Sequence, residues 1–257
     1  MNLLKTVICL AVPLPKIESF DRYLFIGPHP DDIEIGAGAT VKKLADAGKH
    51  ITFLICTDGR FGDGFSNGVK GDALAALRRE ESISSAKKLG VTDVRFLNLT
   101  DGAGYTRGEL EKGIAETVAS VQPDILFAPD PLSKSESHAD HLSVGEAARK
   151  LAYFAPYEGI MENLYGVLSA PVKAAAFYMT ARPNRYVKTA KQFSDQLSAI
   201  FECHKSQYPE GSPEADSLKL YLRLRQIQYG LRTLSRGAEG FRTYSQTHMH
   251  CLPESGE

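Results

Sequence analysis

The sequence has no tryptophan and only four cysteines, and no two of these form a CxxC pair. Cys9, Cys56, Cys203 and Cys251 are far apart in the chain, which argues against both a disulfide framework and a cysteine-rich zinc site. Reduced thiols in a cytoplasmic protein are the simpler interpretation. The formal net charge of −1 gives no electrostatic reason to expect nucleic acid or an anionic membrane as a partner.

Long hydrophobic runs are also missing. The apolar stretch Thr6–Leu14 follows Lys5 and faintly resembles a signal peptide, but it is far shorter than the roughly 20 residues that span a bilayer. It contains Pro13, is followed by Pro15 and lacks a clear small-residue cleavage site. Export remains an alternative. We expect instead that residues 1–20 form an N-terminal extension or a short extra strand packed on the domain, and we expect no membrane association.

Strand and helix patterns alternate between Tyr23 and about Asp130. The predicted strands are Tyr23–Ile26, Ile51–Cys56, Val94–Leu97 and Ile125–Ala128. Apolar residues at helical spacing lie between them, and Gly48, Gly90 and Pro123 end these helices. The pattern predicts an α/β, Rossmann-like fold: a mostly parallel sheet with helices on both faces, which together make a three-layer sandwich.

The second half of the chain continues the same architecture. Ala174–Tyr178 reads as a further strand. Two later helices carry apolar stripes, one with Phe193, Leu197, Ile200 and Phe201, the other with Leu220, Leu224, Ile227, Leu231 and Leu234. Since no low-complexity linker or internal repeat is present, we predict a single domain over residues 1–257, ending in a C-terminal tail from 242 to 257.

Polar loops follow each of the first four predicted strands. They are Pro28–Asp32, Thr57–Gly64, Asp101–Gly104 and Pro129–His141. Ligands of parallel α/β sheets bind outside the carboxyl ends of the strands, so these loops are expected to converge on one site.

Two of these loops carry residues that bind metals. His29 and Asp32 lie in a turn stiffened by Pro28 and Pro30, and a second loop ends in Ser-His-Ala-Asp-His over 137–141. His29, Asp32 and one histidine of that second loop would make the three-ligand set of a catalytic zinc site. Each segment alone could be a turn or a helix cap, but their matching positions after strands favour a shared site.

Several motifs together resemble one family. They are Pro28-His29-Pro30-Asp31-Asp32 with Glu34, Ile35 and Gly36, then Thr57-Asp58-Gly59, Arg78-Arg79-Glu80, Leu89-Gly90, Asp101-Gly102, His138-Ala139-Asp140-His141, His204-Lys205-Ser206-Gln207 and Ala238-Glu239-Gly240-Phe241. In this order they resemble the LmbE/PIG-L zinc-dependent N-deacetylases, over about residues 23–241. The resemblance implies the LmbE-like form of the three-layer sandwich.

The resemblance also implies roles for single residues. His29, Asp32 and His141 would bind Zn²⁺. Asp31 would be the general base that activates water and later protonates the leaving amine.

Three further residues receive roles in the same way. His138, as a protonated imidazole, would stabilise the oxyanion, and Asp140 would orient or tune a neighbouring histidine. Arg60, directly after Thr57-Asp58-Gly59, would contact substrate, although a solvated loop charge is an equal alternative. The roles of His204, His248 and His250 stay open.

The expected reaction is therefore hydrolysis of an acetamide on an N-acetylglucosamine-type small molecule or glycoconjugate. Two alternatives remain: an amidase acting on a glucosamine-containing thiol conjugate, and a non-catalytic, metal-stabilised binding protein on the same fold. Neither the substrate nor the oligomeric state follows from the sequence, although a homo-oligomer is possible.

Overall fold

The computed structural model describes residues 11–65, 68–250 and 252. Its strands are β1 (Arg22–Gly27), β2 (His50–Thr57), β3 (Asp93–Leu99), β4 (Ile125–Pro129), β5 (Ala174–Tyr178), β6 (Arg185–Lys188) and β7 (Ala238–Ser245). Its α-helices are α1 (Asp32–Asp46), α2 (Gly71–Lys88), α3 (Arg107–Val121), α4 (Ala139–Phe154), α5 (Glu158–Tyr165), α6 (Phe193–Ser198) and α7 (Pro213–Arg232). A π-helical turn, Ala199–Cys203, continues α6.

The described strands form one seven-stranded sheet in the order β3-β2-β1-β4-β5-β7-β6. The first five strands are parallel, and β7 pairs antiparallel with both β5 and β6. The chain builds outward from β1 to β3 and then returns to place β4 on the other side of β1. A crevice opens at such a reversal point, which is where ligands bind in open α/β sheets.

Side chains of the central strands alternate between two cores. Leu24 and Ile26 of β1 point to the layer that contains α3 and α4. Tyr23 and Phe25 point to the opposite layer, which contains α1 and the end of α2. Because both faces of β1 are covered, its apolar run is continuous, as expected of a buried parallel strand. The α/β fold with helices on both faces is confirmed.

The structure adds elements that hydrophobic periodicity did not reveal. Helix α5 and strands β6 and β7 were not predicted. Strand β7 runs to Ser245, so the predicted C-terminal tail from 242 to 257 begins inside the sheet, and its boundary was wrong. Residues 242–245 pair with β5, which makes them part of the domain.

The N-terminal extension is described from residue 11 onward. Ile17–Ser19 forms a short 3-10 helix, and Ile17 is buried against the main core. Pro15 accepts a 3.0 Å hydrogen bond from the Arg185 side chain, which ties the extension to β6. Most of the stretch Thr6–Leu14, where an extra strand was predicted, lies outside the described residues. Among the described helices, none combines the length and the apolar character that crossing a membrane requires.

Candidate metal centre and active site

Three loops meet at the carboxyl edge of the sheet. The turn after β1 carries His29 and leads into α1, where Asp32 is the first residue. The turn after β3 carries Asp101, and the loop after β4 leads into α4, whose first turn holds His141. The predicted convergence of the polar loops is therefore observed.

His29, Asp32 and His141 form a compact set of metal-binding atoms. The Asp32 carboxylate lies 3.1 Å from His29 Nδ1 and 3.3 Å from His141 Nε2. One ligand atom from each residue falls within 4.8 Å of the others, and His29 and Asp32 are buried. Two imidazole nitrogens and a carboxylate are a donor set typical of catalytic divalent metal sites. These residues fit a metal ion.

In each ligand histidine, the ring nitrogen that does not face Asp32 is contacted by another carboxylate. His29 Nε2 lies 3.1 Å from Asp101 Oδ1 and 3.1 Å from Asp140 Oδ2, and His141 Nδ1 lies 3.0 Å from Glu136 Oε2. A proton on each of those nitrogens leaves His29 Nδ1 and His141 Nε2 free to donate to a metal. Such carboxylate support fixes the tautomer and orientation of ligand histidines.

The electrostatic field of the cluster also suits a cation. Burial alone lowers the pKa of His29 and His141, but the surrounding carboxylates reverse this effect. The pKa of His29 lies well above its usual range, and Asp32 raises the pKa of His141 to about 9. The site thus favours positive charge, which a divalent metal would supply.

Asp31 lies beside the donor set, and its carboxylate contacts Arg78 and Tyr208. Its carboxylate is buried 3.3 Å from Arg78 Nη2 and accepts a 3.4 Å hydrogen bond from Tyr208. Arg78 also donates to the carbonyls of Pro30 (2.8 Å) and Gly59 (3.0 Å), which clamps the two loops together. Burial raises the pKa of Asp31 to about 6, although Arg78 counteracts part of the shift.

The backbone of Asp31 is held in an unusual conformation, with φ at 130°. Non-glycine residues rarely occupy this region, and such strain concentrates at functional sites. The following residue, Asp32, begins α1, so the strained link sets how the two neighbouring carboxylates diverge.

His138 lies at the open side of the cluster. Its side chain is about half exposed, and its ring centroid is 4.6 Å from that of His29 and 5.1 Å from that of His141. Its Nδ1 accepts a 3.3 Å hydrogen bond from the backbone N–H of Asp140, and burial with its histidine neighbours lowers its pKa. The geometry therefore favours a neutral imidazole with its proton on Nε2. This differs from the protonated form expected from the sequence.

Asp140 joins two loops. Its buried carboxylate accepts hydrogen bonds from the backbone N–H groups of Gly102 (2.9 Å) and Ala103 (2.9 Å) and from the Tyr105 hydroxyl (2.7 Å). It contacts His29 as well, so it lies where the sequence placed a carboxylate that orients a neighbouring histidine.

Arg60 forms ion pairs with two nearby acidic side chains. Its guanidinium lies 2.7 Å from Asp58 and 3.1 Å from Asp72, and about a third of the side chain is exposed. The structure places it near the Thr57-Asp58-Gly59 turn, as expected, but a contact between Arg60 and substrate stays a prediction.

The three histidines whose roles the sequence left open lie outside the donor set. His204 is fully buried with Nε2 3.5 Å from Glu34, His248 Nδ1 lies 2.7 Å from the Ser245 hydroxyl, and His250 stacks on Tyr153.

Four supporting residues were not recognised from the sequence: Asp101, Glu136, Arg78 and Tyr208. Asp101 had a usable signal, because it directly follows a strand whose loop was expected at the site. Glu136 had a weaker one, five residues before a ligand histidine. Arg78 belongs to one of the family motifs and Tyr208 directly follows another, but both reach the site through tertiary packing, so their contacts with Asp31 could not be read from the sequence.

Comparison with known proteins identifies the family. Residues 24–152 match the family model described as "PIG-L: GlcNAc-PI de-N-acetylase". The chain belongs to the PIG-L family. It is therefore an enzyme of a deacetylase family, and the family resemblance read from its motifs is confirmed.

Individual relatives extend the match beyond that segment. The chain is 35% identical over 235 residues to the diacetylchitobiose deacetylase of Thermococcus kodakarensis, covering 90% of this chain and 86% of that protein. It is 30% identical over 207 residues to a 1D-myo-inositol 2-acetamido-2-deoxy-alpha-D-glucopyranoside deacetylase of Kineococcus radiotolerans, covering 69% and 56%. The N,N'-diacetylchitobiose deacetylase of Pyrococcus horikoshii, solved with its inhibitor MPG, superposes with a TM-score of 0.85 at 30% identity, covering 98% and 97%.

Proposed function

We propose that the protein is a zinc-dependent hydrolase that removes the acetyl group from the amide nitrogen of an N-acetylglucosamine unit. The observation that carries this proposal is the position of Asp31. Its carboxylate lies next to the His29–Asp32–His141 set and is held by Arg78 and Tyr208. A base beside a metal site is the arrangement that hydrolysis of an amide by water needs.

The ligand assignment can be argued from the hydrogen bonds. A second group of possible donors, His29 with Asp101, His138 and Asp140, overlaps the first. In that group Asp140 already accepts from two backbone N–H groups and a tyrosine hydroxyl, which occupy its oxygens. In the set with Asp32 and His141, Asp32 Oδ2 accepts a single backbone hydrogen bond, from the His29 N–H (2.8 Å), and Oδ1 faces His141 Nε2 at 3.3 Å, so we assign the metal to this less occupied set.

Zinc fits this set because it accepts mixed nitrogen and oxygen ligands and, when bound, supplies the Lewis acidity that makes water a nucleophile near neutral pH. Asp31 takes the proton from the attacking water and returns it to the departing amine nitrogen. Burial keeps its pKa close to neutrality, which suits both transfers.

The other side chains position and stabilise. His138, protonated on Nε2, donates a hydrogen bond to the oxyanion of the tetrahedral intermediate; a neutral imidazole suffices for this. Asp101, Asp140 and Glu136 hold the ligand histidines in the tautomers that leave their other nitrogens for the metal.

The substrate class follows from the relatives, which act on diacetylchitobiose or on a glucosaminide of inositol by their names. We infer a small N-acetylated saccharide or glycoconjugate as the partner of this site, with Arg60 as a candidate substrate contact. An intracellular, cytoplasmic location and a homo-oligomeric state are further proposals. The free thiols of Cys56 and Cys203 agree with the former.

Amide hydrolysis across a panel of substrates, measured as release of the free amine and, for the N-acetylated members, of acetate, tests the proposal. The panel contains N-acetylglucosamine, diacetylchitobiose, an N-acetylglucosaminyl inositol and an amide conjugate of a glucosamine-containing thiol. We expect acetate from at least one of the first three, loss of that activity after chelation, and recovery on adding Zn²⁺. Cleavage of the thiol conjugate alone would favour the amidase alternative, and no turnover of any amide by the zinc-loaded protein would favour the binding-protein alternative.

A further inference from the structure

Helix α7 carries an apolar stripe on its outer surface. Its side chains remain largely exposed: Leu220 59%, Leu224 57%, Ile227 55% and Leu231 74%. Leu234, just past the end of the helix, is 95% exposed as well. Several large aliphatic side chains in one exposed row exceed the scattered apolar residues of an ordinary surface.

The opposite face of α7 already packs on the domain. Leu222, Gln226 and Tyr229 are buried, and Tyr229 lies against Tyr186 of β6 at a ring distance of 5.3 Å. A helix at the surface of a monomer usually has one apolar stripe, which faces its core. The second stripe of α7 is therefore not needed for attachment to the domain.

The spacing of the outer stripe identifies the kind of surface it fits. Its helical residues are separated by four, three and four positions, from Leu220 to Leu231. This alternation is the heptad pattern whose apolar seam packs against another helix. The stripe is narrow, so it suits the seam of one facing helix better than a broad flat surface.

A second copy of α7 in antiparallel orientation matches the stripe residue for residue. Around a two-fold axis between positions 225 and 226, Leu220 of one copy faces Leu231 of the other, and Leu224 faces Ile227. Every apolar side chain of the seam then meets an apolar side chain.

Charge selects the same orientation. The first turn of α7 carries Glu214 and Asp216, whereas its last turn carries Arg232, and Arg236 follows shortly after. In this register, antiparallel pairing brings Arg236 of one copy level with the Glu214–Asp216 turn of the other and opposes the two helix dipoles, whereas Arg232 lies level with Lys219. Parallel pairing would place like charges together.

We propose that α7 is a self-association surface, through which two copies of this chain pair antiparallel along Leu220, Leu224, Ile227 and Leu231. The interface does not depend on the proposed catalytic function, because none of these residues belongs to the metal centre.

Molar mass in solution tests the proposal first. We expect the wild type, measured by light scattering on a sizing column at micromolar concentration, to have at least twice the chain mass of 28.1 kDa. The double variant Leu224→Glu/Ile227→Glu should have half the wild-type mass or less. Leu168→Glu is the matched control, since Leu168 is 73% exposed in a different part of the surface, and it should keep the wild-type mass. A monomeric wild type, or a double variant of unchanged mass, would overturn the proposal.

Disulfide trapping tests the orientation. Leu220→Cys protein mixed with Leu231→Cys protein should give a cross-linked dimer on mild oxidation, whereas each variant alone should give no more than the wild type. Self-linking of Leu220→Cys would show parallel pairing, and no linking in the mixture would exclude the paired seam; either result contradicts the proposal.

Discussion

Replacing Asp31 with asparagine removes the proposed base with little change in shape. Asparagine is among the side chains that best tolerate positive φ, so the backbone at φ 130° gains less strain than it would with alanine. Arg78 loses its ion pair with Asp31 but keeps its bonds to the Pro30 and Gly59 carbonyls, so its guanidinium stays hydrogen-bonded. We therefore expect a folded protein.

The size of the effect follows from the role of the carboxylate. A positioned general base contributes about 10²- to 10⁴-fold, which corresponds to roughly 3–5 kcal/mol of activation free energy. Since Asp31 lies outside the donor set, the loss should appear in kcat, with bound metal unchanged.

Acetate release under saturating substrate, with metal content measured by mass spectrometry on the same preparation, separates the two quantities. Asp32→Asn is the comparison variant, because it should lose metal as well as activity. An Asp31→Asn variant that keeps more than a tenth of the wild-type kcat would refute the reasoning, as would one that loses its metal.

Three other substitutions test separate parts of the structure. Asp101→Ala removes one carboxylate behind His29 and should weaken zinc affinity about 10- to 100-fold in competition with a chromogenic chelator; wild-type affinity would contradict its supporting role. Gly36→Ala should lower the free energy of unfolding in urea by about 1–3 kcal/mol, because the new Cβ would clash with the buried Tyr178 ring. Gly159→Ala is the control: its new Cβ meets nothing within 4 Å, so it should not destabilise the protein. Glu239 is buried with its pKa raised to about 7, so its protonated form is favoured in the folded state and its contribution to stability is lost as pH rises from about 4.5 through 7. The stability of Glu239→Gln relative to wild type should therefore increase by up to about 3 kcal/mol between pH 5 and pH 8, and a pH-independent difference would contradict the assignment.

The parts of the site that the sequence revealed are those with local spacing. His29 and Asp32 are three residues apart in one stiff turn, and His138 and His141 share the start of one helix. Parallel strand patterns then indicated that these segments meet. Burial of β1, β2, β4 and β5 made their apolar runs long enough to recognise, whereas β3 is only partly buried.

The missed residues depend on packing between distant segments. Helix α2 buries a polar stripe that includes Arg78, Glu81, Ser82 and Ser85, so hydrophobic periodicity could not show which face points inward. Glu81, for example, accepts hydrogen bonds from the Ser206 backbone (2.8 Å) and hydroxyl (2.6 Å). Such buried polar contacts are satisfied only in the folded chain.

In helix α7, by contrast, the apolar pattern was visible but its direction was not. Its apolar stripe was recognised from the sequence, but periodicity does not say whether a stripe faces the core or the solvent.

Strands β6 and β7 were missed for a third reason. β6 has only four residues, and β7 contains Glu239, Gly240 and Arg242, which are uncommon in strands.

The position of the metal tests the central claim most directly. In crystals of the zinc-loaded protein, anomalous scattering at the zinc edge should give one strong peak, about 2.0–2.2 Å from His29 Nδ1, the Asp32 carboxylate and His141 Nε2. A peak bound instead through His29 Nε2 with Asp101, His138 and Asp140, or no peak in a protein that still releases acetate, would contradict the account.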